Sequence, residues 1–356
     1  MKKFFDLQWF ADAGTLVNAT GNYVNAYTGD TTSFTPGSTD LSPTMKTFYD
    51  TNLLDNARDK LIYVQLAKKE ALPANRGKTV EWRKWNKLPD LSTLTEGVIP
   101  TGEKLGMIAI TVSLSQLGEY VTISDILDLH GIEDTKLGAV EELGAAMGLT
   151  LEKNVRAQLM TGTNILFADA YNGSSYVSTP ANEAGLQSAL ASYKCNLTPD
   201  MVAKAVTQLK KMLAPTFQGG KYVAVIHPSV AYDLRRSSEW IEAHKYAAVT
   251  EIFNGEIGEL HGVRFIESTM APVIKGALQT YATYKTMFFG KDAFAVVDPE
   301  GGGLQTIIHD RRAAGGPLEQ FSTVGVKGET AAKILYQERL LTVWSGSYYS
   351  STDSAA

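Results

Sequence analysis

The stretch TKLGAVEELGAAMGLTLEKNVRAQLMTG, residues 135 to 162, constrains this chain more than any other. Val140, Leu143, Met147, Leu151, Val155 and Leu159 recur at steps of three or four, the period of a helix that buries one face. Unbroken from Thr135 to Thr161, with Gly162 as its stop, that helix is about 40 Å long at ~1.5 Å per residue. A rod of this length spans a small domain, so the rest of the chain must be laid along it. Gly138, Gly144 and Gly148, with Ala145 and Ala146, let another element approach its backbone, at about 1 kcal/mol per glycine relative to alanine. The helical pattern starts upstream at the acidic cap SDILD, so the region is read as 124 to 161.

What precedes the rod divides in three. Residues 1 to 43 are rich in Gly, Thr, Asn and Ser without a sustained period, and read as an extended arm carrying Tyr23 and Tyr27. From Ser42 to Lys69 the pattern turns helical, giving a helical segment over 44 to 73. Residues 74 to 122 alternate instead. Val80 and Trp82 share one face, and so do Ile108, Ile110, Val112 and Leu114. Between the two runs lies NKLPDLSTLTEGVIPTGEKLG, too long for a tight turn. A two-stranded excursion of this length is marginal alone in water and must rest on something else.

After the rod, residues 123 to 196 complete a first unit and 197 to 298 read as a compact α/β unit. There TPDMVAKAVTQLKKML is an amphipathic helix with Val202, Val206, Leu209 and Leu213 inward, YVAVIH a buried strand and PSVAYDLRRSSEWIEA helical. Residues 299 to 346 return to strands, and 347 to 356 form a polar tail.

Within AVIHPSVAYDLRR stand His227, Ser229 and Asp233, the residue types of a hydrolase triad. Triad members usually converge from separate elements, with the nucleophile on a strained, glycine-flanked turn. Here His227 ends an apolar strand, Pro228 suits the first helical turn, and no glycine flanks Ser229. The reading is a strand-to-helix corner, so no catalytic residue is assigned. His130, His244, His261 and His309 have no metal-ligand spacing, FQGGKY lacks the spacing of a phosphate loop, and DPEGGG lacks the spaced ligands of a calcium loop. Neither a metal nor a cofactor is expected.

A net charge of -5 argues against binding held by many phosphate contacts, and a single cysteine, Cys195, excludes an intramolecular disulfide. The start MKKFFDLQWFADAGT is interrupted by Asp6, Gln8 and Asp12 and does not read as a signal peptide, and no apolar run reaches bilayer length. A soluble, cytosolic protein without membrane contact is expected. In the excursion, Asp90, Glu96 and Glu103 with Arg76, Lys78, Arg83, Lys84, Lys87 and Lys104 spread both signs along its length. Mixed charge suits complementarity with a neighbouring subunit, and Trp82 and Trp85 are natural anchors. The expected inter-subunit residues are Trp82, Arg83, Lys84, Trp85, Glu96 and Glu103, with Tyr23 and Tyr27 from the arm.

The order of segments, together with AVIHPSVAYDLRRSSEWIEAHKYA, NGEIGELHGVRFIESTMAP and the opening MKKFFDLQWFADA, resembles the major capsid proteins of tailed phages, in their coliphage N-four-type branch. The resemblance covers nearly the whole chain. It implies an α+β architecture, the Hong Kong 97-type fold: an N-terminal arm, an extended loop, a spine helix, a peripheral domain, and an axial domain over 197 to 298. His227, Pro228, Gly258, Gly262 and Val263 would be scaffold positions in that axial domain. It implies self-assembly through pentamers and hexamers into an icosahedral head around double-stranded DNA, put together in the bacterial cytoplasm and matured from a procapsid. The implied partners are a separate scaffolding protein, a portal, a possible decoration protein, and packaged DNA held without tight specific binding. Two alternatives stand beside it: an encapsulin-type bacterial compartment shell with the same fold, and a cytosolic hydrolase using Ser229 and His227.

Overall fold

The computed structural model describes residues 62–73, 77–91, 93–94, 96–97, 99, 102–130, 135–173, 175–245, 256–275, 280–300, 303–314 and 318–353. The described chain begins with one helical turn, Tyr63–Leu66, and passes at once into strand β1, Lys68–Leu72. The helix expected to reach residue 73 therefore stops at Leu66, and residues 44–61 lie outside the described part. Lys68–Leu72 is composed of helix-tolerant residues, but a parallel ladder with Phe294–Pro299 claims its backbone.

Strands β2, Thr79–Trp85, and β3, Met107–Ser113, pair antiparallel with each other and with no other strand among the described residues, from Thr79 opposite Ser113 to Trp85 opposite Met107. Strand β4, Ser115–Ser124, then pairs along Phe321–Thr330. The run MIAITVSLSQLGEYVTIS thus makes two strands in two sheets, and the two-stranded excursion ends at Ser113 rather than near residue 122. Leu114 is the pivot, buried with Val297 and Ala331.

A short helix, Asp125–His130, precedes the long helix, Thr135–Leu159. The long helix buries Val140, Leu143, Met147, Val155 and Leu159, with Leu151 half-buried beside them. Gly144 and Gly148 face inward with this stripe, whereas Gly138 faces open space. Strands β5 (Ile165–Phe167), β6 (Ala170–Asn172) and β7 (Ser175–Ser178) follow, then helices Glu183–Leu190 and Pro199–Lys211. Asn182 Oδ1 accepts from Gly185 N and Thr198 Oγ1 from Met201 N, so both helices open on side-chain caps. Pro199–Lys211 buries Val202, Val206 and Leu209 as the spacing predicts. Leu213 does not follow them. It lies past the helix end at φ 56° and is 84% exposed, and Ala214 turns inward in its place.

Strand β8 (Tyr222–Ile226) is buried at every residue. Helices Pro228–Arg235 and Ser238–Lys245 lead to β9 (Glu256–Leu260), β10 (Val263–Glu267), β11 (Val273–Ile274), β12 (Thr283–Phe289) and β13 (Phe294–Pro299). The chain closes with β14 (Gln305–His309), β15 (Phe321–Ile334) and β16 (Leu340–Ser345).

Two sheets carry the fold. One runs β1-β13-β15-β14, with β4 also paired to β15, opposite β14; the second runs β5-β16-β12-β8-β10-β9, with β11 beside β12. Strand partners cut across the unit bounds 197–298 and 299–346. Phe294–Val297 pairs with Ala331–Ile334, which puts β13 in the first sheet. Leu340–Ser345 pairs with Tyr284–Phe289, which puts β16 inside the second. The return segment is therefore shared between the sheets.

Each sheet has its own core, and a third cluster joins them. Phe265, Phe288, Tyr284 and Trp240 fill the second sheet's core with Val202 and Leu209. Ile123, Val324 and Val326 pack under Val140, Leu143 and Met147. Tyr63, Val155, Leu159, Phe289 and Phe294 fill the space between. The helix lies so close on β15 that a Cβ at Gly328 would meet Met147 Cε at 2.9 Å. Cε is the free end of a flexible side chain that can swing aside, so Gly328→Ala is expected to cost under about 1 kcal/mol, read from chemical denaturation. No helix among the described residues is long and apolar enough to cross a membrane.

Candidate functional site

Two places were candidates from sequence: the His227 corner and the excursion. At the corner, β8 ends at Ile226, His227 is extended, and Pro228 opens the helix. The imidazole acts as the helix cap, its Nδ1 accepting from Ser229 N at 3.2 Å. Burial pushes His227 below the ordinary histidine range, against the pull of the Asp353 and Glu267 carboxylates. The Ser229 hydroxyl turns elsewhere and donates to Asp353 Oδ2 at 2.6 Å. Tyr284 OH lies 2.7 Å from the same oxygen, and Ser350 Oγ is 2.5 Å from Asp353 Oδ1. Against the cost of burial, these bonds from Ser229, Ser350 and Tyr284 hold the Asp353 carboxyl below the usual carboxylate range. Asp233 Oδ2 accepts from Tyr348 N at 2.7 Å.

The three triad-type residues therefore face three different partners. In a Ser-His-Asp triad the histidine holds the serine hydroxyl, whereas here the Nδ1 lone pair of His227 is taken by a backbone N–H and the hydroxyl goes to Asp353. The corner's work is to moor residues 347–353. Ser347 Oγ donates to Ser229 O, Ala282 N to Ser351 O, and Lys275 Nζ to Thr352 O. Ser229→Ala is expected to lower stability by about 1 to 2 kcal/mol, since Asp353 keeps two of its hydroxyl donors. Denaturation of the purified chain measures this, and Ser229-dependent hydrolysis of an activated ester would restore the enzyme reading.

The other sequence candidates fall as follows. FQGGKY is a turn, with Phe217 N donating to Lys221 O and both Gly219 and Gly220 at positive φ. His261 sits at φ 52° in the turn between β9 and β10, 3.9 Å from Glu239, and His130 ends a short helix. The His244 side chain lies outside the described residues. Among the described residues, no three His, Cys, Asp or Glu side chains come together as a metal site.

In the excursion, the expected interface residues separate into a root and a tip. Trp82 packs inward with Leu72, Val80, Val112 and the pivot Leu114. Lys84 lies 3.4 Å from Glu338 and 4.6 Å from the centre of the Tyr336 ring, whose face Arg339 also covers at 3.8 Å. Trp82 and Lys84 thus anchor the excursion to its own chain. A cleft of about 310 Å³ at this root is lined by Lys68, Arg83, Lys84 and Arg339. Three of these cations have a carboxylate at hand, Glu70, Glu81 and Glu338, so the cleft is close to neutral. Arg83, Trp85, Glu96 and Glu103 are exposed; Tyr23 and Tyr27 lie outside the described residues.

The tip exposes what the charge pattern did not single out. Leu91 is 95% exposed, Ile99 93% and Leu94 77%, with Leu88, Leu105, Met107, Ile108 and Trp85 about half exposed. Their sequence signal was weak: leucines scattered among prolines and glycines with no period. Apolar side chains this open, on a ladder that pairs with no further strand among the described residues, mark a contact surface.

No protein-family model matches the sequence, and no curated protein matches it. Solved structures do. The capsid of the cyanophage P-SCSP1u aligns over 79% of this chain and 87% of its own, at TM-score 0.58 and 16% identity. The capsid of Ralstonia phage GP4 aligns over 81% and 89%, at TM-score 0.60 and 14% identity. The mature capsid of bacteriophage PhiM1 aligns over 90% and 94%, at TM-score 0.55 and 12% identity. The chain has the fold of phage capsid proteins, the Hong Kong 97-type fold.

Proposed function

We propose that this chain is a tailed-phage major capsid protein, a structural subunit that assembles with copies of itself into the icosahedral head enclosing double-stranded DNA. The observation that carries the reading is the excursion, a ladder rooted on its own body by Trp82 and Leu114 whose tip displays open leucines and isoleucine. Such a subunit is completed by its neighbours, and its stability becomes tied to assembly. Weak contacts suffice when a closed symmetric shell repeats them. The likeness of nearly the whole chain to phage capsid structures supports the same reading, and the N-four-type branch is its finer form.

In that role the long helix is the spine and the second sheet with its helices the axial domain. The first sheet is the peripheral domain, and residues 79–113 are the extended loop. A separate scaffolding protein, a portal and a decoration protein are the partners this role calls for. Assembly takes place in the bacterial cytoplasm. In that role the protein works by shape.

Electron microscopy and sizing of the chain, expressed alone and with a candidate scaffold, test the proposal. Closed shells, tubes, or pentamers and hexamers are expected. A clean monomer under every condition, scaffold included, overturns it.

A further inference from the structure

Glu152 sits in the middle of the long helix with no exposed surface. Its Oε1 accepts from Ile62 N at 3.1 Å and from Tyr63 N at 3.0 Å. These amides open the helical turn Tyr63–Leu66, where Ile62 offers no side-chain cap. Oε2 is buried without a hydrogen-bond partner, as is the Tyr63 hydroxyl. Tyr63 belongs to an apolar cluster with Val155 and Leu159 from the helix and Phe294, Ala332 and Ile334 from the first sheet. Arg156, one turn along the same helix, and Tyr63, from the facing turn, are the titratable groups coupled to it. Arg156 also donates Nη1 to Met270 O at 2.9 Å. The chain before Ile62 therefore joins the folded body beside a clamp made by one carboxyl oxygen.

We infer that Glu152 is a proton-controlled clamp: protonated, it holds the root of the N-terminal segment against the long helix, and ionised, it favours release of that root. The neutral acid keeps its carbonyl oxygen as acceptor for both amides. The anion leaves a charged oxygen unpartnered among apolar side chains, and opening the clamp gives that oxygen water. Burial pushes the carboxyl up to about 7, against the pull of the two backbone N–H groups and Arg156. Once opened, the group returns toward the ordinary glutamate value of 4.5. The folded value is the raised one, so the clamp is at full strength below the ordinary value and weakens as pH rises toward about 7. Between those values the closed form binds one more proton than the open form. The open-to-closed ratio then rises about tenfold per pH unit and levels off above about 7.

Amide hydrogen exchange on the full, unassembled chain, corrected for intrinsic exchange rates, tests this at residues 62–66 against β12 as an internal reference. Protection of the turn is expected to fall about tenfold per unit up to about pH 7 and then stay level, with β12 unchanged. Glu152→Gln, neutral and of the same shape, should keep the turn protected and remove the pH dependence. Tyr63→Phe should leave the transition in place. A flat wild-type profile, a wild-type slope in Glu152→Gln, or β12 falling in step with the turn would each overturn the clamp. The bearing of the clamp on shell assembly rests on the capsid reading, whereas the exchange profile is measured whether or not shells form.

Discussion

Replacing residues 87–105 by a two-residue Asn-Gly turn is expected to leave a folded chain that no longer closes into shells. The cut is clean because Asn86 N donates to Gly106 O at 2.9 Å, and Trp85 stands opposite Met107. A two-residue turn fits such an antiparallel pair. The root stays intact, since Trp82, Val80, Val112 and Leu114 remain packed. What leaves is Leu88, Leu91, Leu94, Ile99 and Leu105. Covering these five on a neighbour contributes roughly 5 kcal/mol per subunit, after halving the usual value for full side-chain burial. Losing that raises the concentration needed for assembly by roughly three to four orders of magnitude. Circular dichroism should match the parent while sedimentation shows no large particles. Shells at parental yield would remove the tip from the assembly surface.

Phe288→Ala is expected to be the most damaging single substitution in the core, at about 3 to 5 kcal/mol. Phe288 lies in β12, opposite Ala224 of β8 on one side and Leu341 of β16 on the other. Its ring meets Phe265 edge-on, 6.3 Å between centroids. A strand held on both edges cannot move to close the space, so the cavity persists and its full cost is felt. Urea denaturation of the unassembled chain measures the loss. A change under about 1 kcal/mol would mean that the second sheet repacks freely, contrary to the density expected of a protein interior.

The sequence made local features readable and hid those that depend on distant partners. The long helix was legible because its 3.6-residue period survives three interior glycines. The His227 corner was legible because an apolar run followed by proline at the first helical position has few other solutions. The break at Leu114 was not, because alternation runs unbroken from Ile108 through Leu114. Only the pairing of β4 with β15, some two hundred residues away, divides the run. The same holds for Ser229, whose partner Asp353 lies 124 positions further on. Lys68–Leu72 misled in the opposite sense: its lysines, glutamate and leucine favour a helix, and a tertiary ladder overrode them. The tip was half read. Its charges drew attention, while its leucines gave no pattern until their exposure was visible.

The position of β16 has a bearing on timing. Among the described strands of the second sheet, β5 pairs with β16 alone, and β12 is flanked by β16 and β8. Residues 340–345 are translated after every strand they join, so the nascent chain lacks the strand between β5 and β12 until residue 345 has been made. The long-range pairings that close the gap are of the slow kind. The second sheet is thus completed only after residue 345 has been made.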